Sequence, residues 1–398
     1  MSPGKVSPTR YACYAITAPG LEEVTAAELR ALGLQVRSET GGIGFHADPT
    51  QLVAANLELR TATRVIVRIG KFEARAFHDL EIRAKRIPWE AYAAPGTGVR
   101  FRVTSHKSKL FHQDAIAERL LASVQHRLGS GAGASFAAGD DDELEDHVKA
   151  GEEQLFVVRL AHDTCTISAD SSGTLLHRRG YRVAGGKAPM RETLAAAMLL
   201  GIGWDGREPL LDPFCGSGTI PIEAALLARR IAPNLPRALR GDLACLRWPA
   251  FDKAAAKPAI EQAQANILPV RPVPIAGSDR DAGAIAGARA NAARADVSEV
   301  EFNMAPFSAV DPPEPPGWIV TNPPYGVRIG EQKRLRALYA QVGKLMRTRW
   351  SGWKLAMLES QREVRRFTGL TMREVGSTRN GGIRVRLVTS GYPSVPAF

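Results

Sequence analysis

Leu210-Leu211-Asp212-Pro213-Phe214-Cys215-Gly216-Ser217-Gly218-Thr219 ends a short apolar run and opens a helical pattern. The run reads as a buried strand. The glycines after it suit a turn where a nucleotide-like ligand approaches the backbone with no Cβ in the way. No Gly-Lys-Ser/Thr follows, so this is not a phosphate loop. Pro221 stands where the third glycine of a dinucleotide fingerprint belongs. Outward from this turn, further apolar strands are expected at Pro274–Ser278, Val300–Asn303, Trp318–Thr321 and Lys354–Leu358, after the first at Leu210–Phe214. Helical patterns intervene at Thr193–Leu200, Thr219–Arg230, Ala282–Ala295 and Lys333–Arg347. That order predicts an α/β domain with a parallel, doubly wound sheet. Arg373–Ser377 and Ile383–Thr389, joined through Asn380-Gly381-Gly382, predict an antiparallel strand late in the sheet, because Asn-Gly is a hairpin signal. Ile231–Arg271 reads as an insertion of undefined shape.

Before about Gly185 the rhythm is different. Tyr14–Ile16, a helix from Leu21 to Leu32 closed by Gly33, and Ile43–Phe45 are followed by a helix at Pro49–Leu59. In Arg64–Ile69, Val65, Val67 and Ile69 share one face and the arginines the other. Val99, Phe101 and Val103 alternate with Arg100, Arg102 and Thr104, and Ile116, Leu120, Val124 and Leu128 mark an amphipathic helix. Leu155–Leu160 and Thr164–Ser168 read as a hairpin turning at His162-Asp163. This half is α+β with mixed strands. Gly129–Asp146, small and then acidic, reads as a loop.

Two or three domains are expected from 398 residues. Lysine and arginine outnumber aspartate and glutamate by 52 to 41, a net charge of +11. Residues 60–130 hold 14 basic and 6 acidic side chains, and residues 328–386 hold 15 and 4, so two basic regions point to a polyanionic partner held at two places. Between Asp140 and Glu153 eight acids face one lysine, which reads as a solvated loop. No run approaches the roughly 18 apolar residues of a membrane span. The first ten residues hold no apolar signal segment, and the four cysteines form no Cys-x-x-Cys pair. A reduced, cytoplasmic protein without a structural metal is the expectation.

Asp279 ends the second strand, where a carboxylate can accept from both hydroxyls of a ribose. Asp281, just before Ala282, suits the helix N-cap better. Asp212 either orients the glycine turn or accepts from a ligand ammonium. The set favours an adenosine ligand with no critical phosphate. In Thr321-Asn322-Pro323-Pro324-Tyr325 the prolines stop the strand and stiffen a turn. That turn offers the Asn322 side-chain carbonyl, the Pro323 backbone carbonyl and the Tyr325 ring. Two converging acceptors suit an exocyclic NH₂ group, and the ring suits a base taken out of its stack. Binding both N–H groups can pyramidalise a nitrogen whose lone pair is otherwise delocalised into the base, and so aim it at an electrophilic methyl.

Asp212–Thr219 together with Asn322–Tyr325 resembles the class I S-adenosylmethionine-dependent amino-methyltransferases, and more closely the THUMP-domain RNA guanine-N2 methyltransferases of bacteria. The likeness extends to Ala12–Leu34, to Val103–Leu120 with its Ser105–His112, to the junction Leu176–Arg182, to Ala188–Ala195 and to Asn380-Gly381. It implies an N-terminal ferredoxin-like region (1–62), a THUMP RNA-binding domain (63–172), a linker (173–187) and a Rossmann-like domain with a seven-stranded sheet (188–398). It further implies that Thr193, Asp212, Phe214, Gly216, Gly218, Thr219, Asp279 and Arg280 line the S-adenosylmethionine pocket. Asn322, Pro323, Pro324 and Tyr325 would position the guanine, with Arg100, Arg102, Lys107, Lys109, Arg178 and Arg179 on structured RNA. The implied substrate is large-subunit ribosomal RNA, and a monomer is expected. Related tRNA guanine-N2 enzymes, and adenine-N6 DNA or protein-glutamine enzymes, share the turn. The last two need no basic α+β region in front, and loss of turnover in an RNA-binding protein is a further alternative. One departure stands out: Met304-Ala305-Pro306-Phe307 lies where such enzymes commonly carry an acid toward the adenine amine.

Overall fold

The computed structural model describes residues 10–129, 134–137, 153–182, 190–270, 273–325 and 332–391. The first ten residues but one, most of the acidic stretch and the end of the expected linker therefore lie outside the described residues.

The N-terminal part runs β1 (Tyr11–Thr17), α1 (Glu22–Ala31), β2 (Val36–Glu39), β3 (Gly42–Ala47), α2 (Pro49–Glu58), β4 (Ala62–Glu73), α3 (Phe77–Ala84), β5 (Gly98–His106), α4 (Gln113–Leu128), β6 (Ala134–Ala137), β7 (Glu153–Ala161) and β8 (Thr164–Asp170). Local chemistry fixes several of these boundaries. Asp48 accepts from Gln51 N at 2.8 Å while the Gln51 side chain accepts from Asp48 N at 3.1 Å, a reciprocal cap with Pro49 at the first helical position. His162 and Asp163 both take positive φ, the conformation a two-residue hairpin needs.

Among the described residues these strands form one eight-stranded sheet of order β2-β3-β1-β4-β8-β7-β5-β6. The division at residues 62 and 63 falls at the start of β4, which pairs with β1 on one side and β8 on the other. The stretches expected as separate regions, 1–62 and 63–172, thus share a sheet among the described residues. Two readings need correction. Gly129–Asp146 is not all loop, since β6 runs parallel to β5. The insertion after Ile231 has a definite shape, described below. On the arginine face of β4, Arg64 is 2 % exposed, ion-paired with Asp170 and donating to Gly173 O at 2.6 Å.

The second part continues with α5 (Glu192–Gly201), β9 (Leu210–Asp212), α6 (Thr219–Ala228), α7 (Leu235–Leu239), α8 (Ala256–Ala265), β10 (Ile275–Asp279), α9 (Ala282–Arg294), β11 (Glu301–Met304), β12 (Trp318–Thr321), α10 (Gln332–Arg347), β13 (Lys354–Glu359), α11 (Arg362–Arg365), β14 (Arg373–Asn380) and β15 (Ile383–Thr389). Its seven strands are ordered β11-β10-β9-β12-β13-β15-β14, parallel except that β15 runs antiparallel to both neighbours. From β9 the chain first winds toward β11 and then returns to β12 on the other side. The order therefore reverses between β9 and β12, and their carboxyl ends open a crevice there.

The insertion packs on the N-terminal sheet. Leu235, Ala238, Trp248, Phe251, Ala259 and Ala263 join the same buried cluster as Tyr11, Phe45 and Leu52. Trp248 meets Tyr92 edge-on at 5.0 Å and donates from Nε1 to Gln154 Oε1 at 2.8 Å. Two further contacts cross between the parts. Gly20, at φ +87°, lies so close to β14 that a Cβ would sit 1.9 Å from Ser377 O. Arg60 donates to Ile231 O at 2.7 Å, beside a buried pair of Arg179 and Glu223.

Candidate active site

Both motifs of the second part meet at the reversal point. β12 pairs directly with β9, Ile319 opposite Leu211, so Asp212 and Thr321 leave neighbouring strands at the same edge. Thr321 Oγ1 donates to Asp212 Oδ1 at 2.6 Å, and Phe214 N donates to the same oxygen at 3.0 Å. One carboxylate thus joins the glycine turn to the Asn-Pro-Pro-Tyr corner. Asp212 is 2 % exposed, and burial, with Asp279 nearby, pushes its carboxyl up to about 7. Thr321 was not singled out from the sequence, because nothing in a strand-ending threonine says which neighbour it faces.

The glycine turn divides its labour. Gly216 takes φ +51°, and a Cβ there would meet nothing within 4 Å, so its face is open. Gly216 N donates to Asp279 Oδ2 at 3.1 Å, and Cys215 N to Ser278 O at 3.0 Å, which fastens the turn to the end of β10. Gly218 serves packing instead. It caps α6 at φ +82°, and a Cβ would lie 2.9 Å from the Phe302 ring and 3.0 Å from Ala288 Cβ. Its N–H is spent on Cys215 O at 2.8 Å. Asp279 keeps acceptor capacity at the crevice while also taking Asp281 N at 3.0 Å. Asp281 caps α9 through Gly283 N and Ala284 N. Arg280 is exposed next to it.

Thr193 and Thr219 are buried. Thr219 Oγ1 accepts from Arg182 at 3.0 Å. The same guanidinium also reaches Ser217 Oγ at 3.3 Å, Met190 O at 2.9 Å and Glu192 at 2.9 Å. Arg182 therefore ties the junction segment to the glycine turn, a role its place in that segment did not reveal. Phe214 packs against Phe307, ring centroids 4.8 Å apart. At the end of β11, Met304 pairs with Asp279 in register and is 63 % exposed. Apolar surface therefore stands where an acid was the familiar choice.

At the second corner Asn322 is half-buried, Pro323 buried and Pro324 exposed. The half-buried Tyr325 packs its ring against the apolar core of this part, and burial pushes its phenol up to about 12. The Asn322 acceptor is engaged: Tyr325 Oη donates to Asn322 Oδ1 at 2.5 Å, and Asn380 Nδ2 donates to Tyr325 Oη at 3.0 Å. Asn380 was read from the sequence only as a turn residue.

The expected RNA contacts scatter. Lys107 and Lys109 are exposed on the loop after β5, beside Phe111, which is 62 % exposed. Arg100 is mostly covered and 3.7 Å from Glu153, and Arg102 and Arg178 are half-buried. Arg179 is withdrawn from that set. It is 4 % exposed, donates to Leu176 O and to Arg60 O, and pairs with Glu223 at 3.6 Å. Among the described residues no cluster of three or more His, Cys, Asp or Glu could hold a metal, and no helix is long and apolar enough to cross a membrane.

A glycine turn and a proline-stiffened acceptor corner, bonded together at the reversal of a seven-stranded sheet, define a class I methyltransferase domain. Residues 179–388 match the family model described as RMKL-like, methyltransferase domain, and residues 12–66 match the RlmL ferredoxin-like domain. The chain belongs to the RMKL-like methyltransferase family. It is 32 % identical over 378 residues to "Putative RNA methyltransferase YpsC" of Bacillus subtilis, covering 94 % of each chain. It is 34 % identical to Ribosomal RNA large subunit methyltransferase K/L of Syntrophotalea carbinolica, with 94 % of this chain covered but 52 % of that protein, so the chain spans about half the length of this relative. Among solved structures, SMU.472, "a putative methyltransferase complexed with SAH", is 28 % identical with TM-score 0.82, covering 96 % of this chain and 98 % of that one. A Listeria monocytogenes protein described as a predicted N6-adenine-specific DNA methylase is 29 % identical with TM-score 0.81, covering 95 % and 96 %. The chain is an S-adenosylmethionine-dependent RNA methyltransferase.

Proposed function

We propose that this chain moves a methyl group from S-adenosylmethionine to the exocyclic N2 amine of a guanine in structured RNA, with 23S ribosomal RNA as the substrate. The observation that carries the reading is the Thr321–Asp212 bond, which sets the acceptor corner beside the glycine turn. Gly216, Asp279 and Asp212 suit the cofactor, since an open glycine face, a ribose-facing carboxylate and a buried carboxylate for an ammonium converge there. Phe214, Phe307 and Met304 offer the adenine apolar surface in place of an acid. The cofactor, when bound, supplies a methyl on a sulfonium.

The residues of the chain then do three things. The Asn322 and Pro323 carbonyls accept from the two N–H groups of the amine and direct its lone pair. The Tyr325 ring stacks on the extruded base. The N–CH₃ bond forms as the S–CH₃ bond breaks, and the surplus proton on nitrogen leaves to water. The loop bearing Lys107, Lys109 and Phe111 supplies phosphate contacts and a stacking surface. The reading is of a cytoplasmic monomer.

Ribosomal RNA is favoured by the name of the K/L relative, and DNA by the name of the Listeria relative. Mass spectrometry of ribosomal and transfer RNA nucleosides from a strain lacking this chain should show loss of N2-methylguanosine from one ribosomal site. Tritiated-methyl uptake by purified protein should go to RNA; uptake confined to DNA or to protein rejects the proposal.

A further inference from the structure

We propose that Asn380, on the hairpin between β14 and β15, is a positioning residue for methyl transfer that acts through the Tyr325 hydroxyl. The proposal rests on the reading that Asn322 receives the target amine.

The turn itself gives no reason for asparagine at this position. Positive φ falls on Gly381 (+52°) and Gly382 (+81°), while Asn380 is still in β14, paired with Ile383. A two-residue turn of this kind needs glycine-like conformations at its two central residues, and the strand residue before them is unconstrained. Asparagine is also depleted in strands. What its amide does is reach across to the other motif: Nδ2 donates to Tyr325 Oη at 3.0 Å, and that hydroxyl donates to Asn322 Oδ1 at 2.5 Å. In the sheet β13 and β15 separate β12 from β14, but β14 is parallel to β13, so the tip of the hairpin lies at the same carboxyl edge as the corner.

This relay has two consequences. Without a base present, the acceptor intended for the amine is held by an internal donor, which keeps its oxygen aimed at one place. When an amine takes that oxygen, Asn380 still holds the phenol, so the ring that stacks on the base keeps its plane. Alanine at 380 leaves the ring tethered from one side only. A loosened ring misorients the nitrogen, and orientation belongs to the chemical step.

The test is a double-mutant cycle on methyl transfer by the full chain, with ribosomal RNA from a strain lacking it as the acceptor. Asn380→Ala should lower kcat about tenfold, the worth of one hydrogen bond, with KM for RNA and affinity for S-adenosylmethionine nearly unchanged. In a Tyr325→Phe background, already slowed, Asn380→Ala should cost nothing more. Equal fold losses in both backgrounds, or wild-type kcat for Asn380→Ala, overturn the proposal. Should Asn380→Ala unfold the hairpin, Asn380→Asp keeps the shape but cannot donate; it should reproduce the loss, and wild-type turnover overturns the proposal. Failure of the underlying reading has a separate signature: Asn322→Ala would retain transfer whatever the cycle shows.

Discussion

Asp212 shows how much a single side chain can carry at this site. Its two recorded partners donate to one oxygen, and the carboxyl is buried deeply enough to sit near 7 rather than in the ordinary carboxylate range. A raised carboxyl is penalised when ionised, so the folded protein binds this proton more tightly than the unfolded chain does. The penalty is absent below about pH 4 and grows as pH rises toward 7. Asp212→Asn keeps the acceptor oxygen and removes the charge. Relative to wild type, the variant should gain stability in cofactor-free denaturation as pH rises from 5 to 7.5; parallel curves would show that Asp212 is ionised without penalty. Asp212 and Asn322 were legible in the sequence because glycine, which frees the backbone, and proline, which fixes it, mark the turns around them. Their partners were not. Thr321 and Asn380 bond across gaps of 109 and 55 residues, and no local pattern reports such pairings.

The turns between elements were partly legible. Glycine positions marked the ends of α1 and of the late hairpin, since only a residue without a Cβ adopts those angles freely. The pattern could not separate turn from approach: Gly218 reads as a ligand glycine yet makes room for Phe302, and Gly20 reads as a simple turn yet abuts β14. β2 and α3 escaped notice because Val36–Glu39 holds one apolar residue and Phe77–Ala84 is only eight residues long. Gly20→Ala combines a left-handed backbone with a clash against Ser377 O. It should cost about 1–3 kcal/mol in denaturant unfolding. Wild-type stability would mean that the N-terminal turn does not seat on β14. That seat lies three residues from Asn380, so the same element carries a contact from the N-terminal region and a bond to the corner.

At the scale of the molecule, summed charge indicated a polyanionic partner but could not sort surface arginines from buried ones. Arg179 was placed on RNA by the resemblance of its junction segment, yet it closes a buried pair with Glu223 between the two parts. Arg179→Ala should therefore lower stability by about 3–5 kcal/mol and leave the salt dependence of RNA affinity alone. Lys107→Ala with Lys109→Ala should do the reverse, keeping stability and reducing the salt slope by about 1–2. Filter binding across a salt series, beside denaturation curves, separates the two, and an altered slope for Arg179→Ala would restore it to the RNA surface. The alternation of strands and helices made the second part readable, whereas the packing of α7 and α8 on the N-terminal sheet depends on contacts far apart in sequence. All of this arranges one crevice at the reversal of the sheet. The most direct test of it is single-turnover methyl transfer by Asn322→Ala, with S-adenosylmethionine affinity measured by calorimetry on the same sample. Transfer should be abolished while cofactor affinity stays close to wild type; transfer at the wild-type rate would contradict the account.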